Sequence, residues 1–221
     1  MANLSVKAII SDGFAIGVKN AASLIGATVL WILTLWIPYI NVGTTIAMCS
    51  IPVALSKGKM LYPTFIFDSK YRKQMGDYII LKVLSSIGFF FAYLFLFIPA
   101  LVLAYSWSQA IYLLLDKEIT PTDALTTSNK LTYGHKWTLF GVDLLICILI
   151  CLALLIFGSI AMAINDTFGS IEIFIIIIAI VLVLAVPFMM GCHGVIYKQL
   201  TEECADEPAA EPFTEVDEPE A

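Results

Sequence analysis

Charge is what this chain has least of. Charged residues fill 14% of its 221 positions, against about 25% in a soluble domain, while 60% are hydrophobic and the mean hydropathy is +0.91. That balance excludes an ordinary soluble globule. The twelve basic residues stand beside apolar runs and form no continuous patch, which excludes nucleic-acid recognition. Histidine occurs only twice. A metal site needs three or four converging ligands, so Cys192-His193 with the distant His135 predicts no metal and no cofactor. There is no glycine-rich phosphate loop, activated-nucleophile motif or zinc-protease motif. The cysteines are odd in number, and Cys49, Cys147, Cys151 and Cys192 lie in or near apolar runs. They read as buried small apolar residues, not as a disulfide framework. No cleavable leader is expected, because the first apolar run begins only at Ala21 and no small-residue cleavage site follows it.

What the chain does have is a series of apolar runs of membrane length. A spanning helix needs about 20 such residues. The expected spans are 21–37, 42–56, 79–97, 100–115, 137–163 and 171–195. The first stops at Pro38, with Trp31 and Trp36 toward its end as interfacial anchors. The second is short and polar enough, with Thr44, Thr45, Ser50 and Pro52, to leave a re-entrant segment open as the alternative to a full crossing. From Ile79 to Leu115 the apolar run is nearly unbroken and would make a helix of roughly 55 Å at 1.5 Å per residue. Pro99 is the expected break. The last two spans are joined by Asn165 to Ser170.

With six crossings, every Lys and Arg falls on one side, which is the pattern of the positive-inside rule. Lys57, Lys59, Lys70, Arg72 and Lys73 would lie outside if 42–56 did not cross. Both termini are therefore expected in the cytoplasm, at the inner (cytoplasmic) membrane. Asp166 and Glu172 are the only charges expected outside. The net charge of -6 comes from the end of the chain, where Glu202, Glu203, Asp206, Glu207, Glu211, Glu215, Asp217, Glu218 and Glu220 crowd together with three prolines. Without them the chain carries +3, as suits a protein beside an anionic inner leaflet. Residues 201–221 are expected to be a disordered acidic tail, and 1–200 a single helical membrane domain.

Amphipathic helices are expected on the inner face. Thr120-Pro121-Thr122-Asp123 is a helix start, with a Thr cap, Pro at the first position and an acid in the first turn. Ala124, Leu125, Ser128, Leu131 and Thr132 then share a face, and Gly134 ends the helix. The first segment is similar, with Ala8, Ile9, Gly13, Ala15 and Gly17, and the parallel between Gly17-x-Lys19 and Gly134-x-Lys136 suggests a duplicated unit of surface helix plus helical hairpin.

Several spaced motifs bear on family. They are Phe97-Ile98-Pro99-Ala100, then Tyr105-Ser106 with Tyr112 and Asp116, then Ala124-Leu125-x-x-Ser128-x-x-Leu131-x-x-Gly134-His135-Lys136-Trp137 with Leu139-Phe140, and finally Pro187 with Tyr197-Lys198-Gln199-Leu200. With these the chain, up to Leu200, resembles uncharacterised bacterial multi-pass membrane proteins akin to the membrane domain that precedes some glycerophosphoryl diester phosphodiesterases. Ala100 stands where the pattern usually has glycine. The resemblance implies an all-α, polytopic helical membrane bundle and no catalytic residue, and the soluble phosphodiesterase barrel is absent.

Polar residues inside apolar runs are the candidate functional groups. Lys82 and Asp143 are the only charges there, either paired across helices or lining a polar path with Gln109, against the plainer reading of Lys82 snorkelling and Asp143 at the interface. Lys19, His135, Lys136 and Trp137 are expected at the lipid headgroups. Glycine and alanine recur through the spans as close-packing positions. The expected partners are membrane lipid and a cytoplasmic or membrane protein. Two readings follow: a non-enzymatic scaffold or accessory subunit acting through the inner face, or a small-molecule or lipid transporter using the polar span residues.

Overall fold

The computed structural model describes residues 4–95, 97–168 and 171–206, which are helical throughout apart from short connections and include no strand. In order they are α1 (Val6–Lys19), α2 (Ala21–Thr34), α3 (Pro38–Cys49), α4 (Ile51–Ser56), a 3-10 turn (Pro63–Phe67), α5 (Ser69–Lys73), α6 (Met75–Leu94), α7 (Phe97–Ser106), α8 (Ala110–Lys117), α9 (Pro121–Leu131), α10 (Lys136–Phe168) and α11 (Ile171–Asp206). Five stretches are long and apolar enough to cross a membrane: Pro38–Ser56, Met75–Leu94, Ile98–Lys117, Lys136–Met162 and Phe174–Glu203. The pair α1 and α2 makes a sixth if counted as one unit bent by 74°.

Local chemistry sets most of the boundaries. Pro38 opens α3 at a position that needs no amide donor, and α3 with α4 gives 19 residues, about 28 Å at 1.5 Å per residue. The segment expected at 42–56 is thus long enough to cross because it starts four residues earlier. Thr120 caps α9 as expected. Its hydroxyl accepts from the Asp123 amide at 3.2 Å and donates to the Asp123 carboxylate at 2.7 Å, so the Asp123 side chain braces the cap. Gly134 turns the chain into α10 with φ +85, a conformation that favours glycine.

Other boundaries differ from expectation. The 21–37 span is not one straight helix: α2 has 14 residues, about 21 Å, short of a hydrocarbon core of about 30 Å. Pro99 lies in the first turn of α7, and the preceding helix has already ended at Leu94. Gly17 and Gly134 do not occupy equivalent places, since Gly17 is inside α1 and Gly134 is in a turn, so the suggested duplication has no structural counterpart there. Helix α10 takes up Asn165 to Phe168 of the expected outer turn. Helix α11 continues past 195 through residues 201–206 to Asp206. The rest of that outer turn, the side chain of Asp166, and the acidic tail from 207 onward lie outside the described residues.

The core surrounds one half of α11, from Pro187 to Leu200. Small residues let helices approach closely and gain van der Waals fit. The closest fit is between α1 and α11. A Cβ on Gly13 would stand 2.8 Å from the Cys192 Cα, and one on Gly17 would stand 2.9 Å from the Pro187 carbonyl carbon. Moving forward along α1 means moving back along α11, so the two run antiparallel. On another side Gly194 meets α4, with 3.1 Å from a would-be Cβ to the Pro52 carbonyl oxygen. Ile9, Val142, Ile196, Tyr197 and Leu200 fill the space between. Adjoining clusters centre on Leu24, Ile46 and Leu55, and on Leu81, Leu114 and Ala124.

The far halves of α6, α10 and α11 carry outward apolar side chains, among them Phe90, Leu94, Leu155, Ile156, Ile176 and Ile180. Cys147 and Cys151 are on this exposed surface of α10, while Cys192 is buried. The expectation that the cysteines are buried is therefore wrong for that pair, which sits on an outward side of α10.

Candidate functional site

Gln109 marks a break that no proline or glycine announces. Helices α7 and α8 would be continuous but for Trp107 to Gln109. There the Ser128 side chain of α9 enters the hydrogen-bond ladder. Its hydroxyl donates to the Ser106 carbonyl at 2.7 Å and accepts from the Gln109 amide at 3.2 Å, while the Thr132 hydroxyl donates to the same carbonyl at 3.3 Å. An inserted side chain is a recognised cause of a kink. Trp107, freed by the kink, packs over Gly88 of α6 and edge-on to Phe89 with ring centroids 5.7 Å apart. The Gln109 side-chain amide donates to Ser108 at 3.1 Å. Its place in the structure is this joint between α7, α8 and α9. Ser128→Ala should lower stability by about 1 to 3 kcal/mol by leaving the buried Gln109 amide without an acceptor. A thermal melt of the full chain in detergent equal to that of the parent would refute this.

The two charges inside apolar runs are not brought together. Lys82 is exposed on α6, its Nζ 5.7 Å from the Tyr78 ring centroid. Asp143 is half-buried on α10, beside Tyr105 of α7 and His193 of α11. Among the described residues no ion pair joins Lys82 and Asp143, and neither they nor Gln109 line any of the three larger cavities. Gln109, Asp143 and Lys82 are thus three separate features. The adjacent Cys192 and His193 have Asp143 as their near charged neighbour, and no group of three His, Cys, Asp or Glu converges as a metal site would among the described residues.

The four residues expected at the headgroups divide. Trp137 is 81% exposed and, with Lys136, Tyr133, Tyr105 and Phe140, lines a cavity of about 250 Å³ at the start of α10. Lys136 donates to the Asn129 side chain at 3.2 Å. Lys19 is exposed at the end of α1. His135, in contrast, turns inward, with its Nε2 3.2 Å from a Glu203 carboxylate oxygen, so it ties the α9–α10 turn to the end of α11.

A larger feature escaped the sequence reading. Asp116, at the end of α8, accepts a hydrogen bond from the Tyr197 hydroxyl at 2.9 Å and forms an ion pair with Lys57. One carboxylate thus joins the ends of α4 and α8 to α11. Tyr197 is 2% exposed and stacks edge-on with Tyr112 at 5.8 Å. Beside this joint is a cavity of about 730 Å³, lined by Lys57, Lys59, Lys70 and Lys73, by Asp77, Asp116 and Glu118, and on one side by Val53, Leu61, Phe65 and Leu115. The family motifs had picked out Tyr112, Asp116 and Tyr197, but nothing in the order of residues paired Asp116 with Lys57, 59 positions away.

No family model, curated protein or solved structure matches the chain.

Proposed function

We propose that this is a six-span integral protein of the bacterial cytoplasmic membrane, with both termini inside, that works as a non-enzymatic scaffold or accessory subunit through its cytoplasmic face. The observation that carries this reading is the scatter of Lys82, Asp143 and Gln109: a transport path would gather polar span residues around one cavity, and among the described residues none of the three lines the cavities of about 730, 310 and 250 Å³. The orientation rests on Lys7, the basic residues from Lys57 to Lys73 and those from Lys117 onward, which fall on one side when the α1–α2 pair, with Lys19 at its bend, counts as a single crossing. On the face they occupy, Met60, Tyr62 and Phe67 stand exposed along the connection between α4 and α6, apolar contact area of the kind that partner proteins cover. The resemblance to uncharacterised multi-pass proteins agrees with a helical bundle that supplies no catalytic group. The competing reading, a small-molecule or lipid carrier, would use Asp143 with His193.

Native mass spectrometry on the full chain, extracted in nanodiscs from its own membrane, separates the two. The scaffold reading expects a protein retained in fixed ratio and released by Tyr62→Asp with Phe67→Asp, and unaffected by Asp143→Asn. A retained small molecule that Asp143→Asn abolishes would replace the scaffold with the carrier. A cysteine placed at Gly58 and labelled by an impermeant reagent from outside the cell would overturn the orientation.

A further inference from the structure

We infer that the lysine-lined cavity of about 730 Å³ between α4, α5 and α8 is a binding site for a phosphate-bearing anion. Its size falls within the roughly 300 to 1,000 Å³ of small-molecule sites. A third of the basic residues of the chain converge on it from two separate segments: Lys57 and Lys59 in the turn that follows α4, and Lys70 and Lys73 on α5. Three carboxylates share the lining. Asp116 is already engaged by Lys57 and Tyr197, which leaves Asp77 and Glu118 against three lysines. Lys70 lies 3.7 Å from Asp68 and 4.7 Å from the Tyr71 ring centroid, while Lys59 and Lys73 make no ion pair among the described residues.

The shape is also that of a ligand site. Tyr71 is buried, with its hydroxyl 3.0 Å from that of Ser50, so the wall beneath the lysines is fixed, not a loose surface. Val53, Leu61, Phe65 and Leu115 add apolar lining that suits the carbon skeleton of a phosphate ester. Ammonium groups at the ends of flexible stems are suited to phosphate as point charges. Basic pockets on the cytoplasmic side of helical bundles receive lipid headgroups by the same chemistry. The phosphate can belong either to an anionic phospholipid of the inner leaflet or to a soluble ester. This site goes beyond the scaffold reading and does not depend on it.

The test uses the full chain in two arms. In one, protein reconstituted in mixed phosphatidylcholine and phosphatidylglycerol is released into native mass spectrometry and retained phosphatidylglycerol is counted. In the other, protein in phosphatidylcholine nanodiscs is titrated with inorganic pyrophosphate by calorimetry. Lys59→Ala with Lys70→Ala and Lys73→Ala is compared with Lys7→Ala, Lys130→Ala and Lys198→Ala, which removes the same charge elsewhere, and both are checked for an unchanged melting point. We expect one ligand per chain in at least one arm, with about tenfold to hundredfold weaker binding in the cavity variant and little change in the control. Retention of phosphatidylglycerol alone identifies the source as lipid, and binding of pyrophosphate identifies it as soluble. No binding in either arm, or equal loss in both variants, overturns the site.

Discussion

Gly191→Leu is expected to abolish the folded state of this protein as a monodisperse species, at a cost of about 3 kcal/mol or more. Even a methyl group at this position would overlap the Gly13 carbonyl oxygen, and it would stand 3.0 Å from the carbon of that carbonyl and 3.1 Å from the Gly17 amide nitrogen. These are backbone atoms, so no change of rotamer relieves the overlap. Helix α1 would have to move away from α11, opening the seam that Gly13 and Gly17 close from the other side. Gly158→Ala is the contrasting substitution. Nothing lies within 4 Å of its would-be Cβ, and alanine in a helix is favoured over glycine by about 1 kcal/mol, so this variant should melt no lower than the parent. Size-exclusion profiles and thermal melts in one detergent read both outcomes. A Gly191→Leu protein that elutes and melts like the parent would show that the α1–α11 seam does not hold the bundle together.

That seam illustrates which parts of the fold were open to reading from residue order. Where an element begins or ends through chemistry within a few residues, the sequence carries it: the Thr120 cap and the turn at Gly134 are local events, whereas Pro38, read as the stop of the first span, opens α3. The apolar runs themselves are local too, which is why five of the six expected crossings correspond to stretches of adequate length. Helix α11 outran its expected end because Tyr197-Lys198-Gln199 reads as an exit from the apolar run, whereas polar residues neither stop a helix nor prevent one face of it from packing. Tyr197 and Leu200 are buried. Gly13 and Gly17 of α1 were read as part of a surface helix and not as close-packing positions, because their partners lie 170 or more positions on, beyond any periodicity. The kink at Gln109 was equally hidden, since Ser128, which causes it, is 19 residues away.

The candidate site divides on the same principle. Lys82 and Asp143 could be picked out because each is a charge within an apolar run, yet whether they meet depends on helix arrangement, and α6 and α10 direct them to different neighbours. His135 was placed at the headgroups by its sequence neighbours Gly134 and Lys136, and Glu203, 68 positions away, draws it inward instead. The lysine cavity was foreshadowed only as a run of inner-face charge. Its enclosure by α4, α5 and α8 is a tertiary fact.

Asp116→Ala is expected to be the most damaging single change around the lysine-lined cavity, lowering stability by about 2 to 3 kcal/mol. Most of that comes from Tyr197, whose buried hydroxyl would lose its acceptor at about 1 to 3 kcal/mol. Lys57 has 47% of its side chain exposed, so water screens its charge and the ion pair adds only about 0 to 1 kcal/mol. The asymmetry of buried hydrogen bonds makes the prediction specific. Removing one partner strands the other, while removing both leaves nothing to strand, so adding Tyr197→Phe to Asp116→Ala should recover part of the loss, and Asp116→Asn, which retains a carbonyl acceptor, should cost less than Asp116→Ala. A double-mutant cycle by thermal unfolding of the full chain measures the coupling directly. Strict additivity would mean that Asp116 and Tyr197 do not act as a pair. Coupling confined to Tyr197, with Lys57→Ala near neutral, would establish that α8 and α11 are joined through the hydroxyl and that the Lys57 ion pair adds little to the joint.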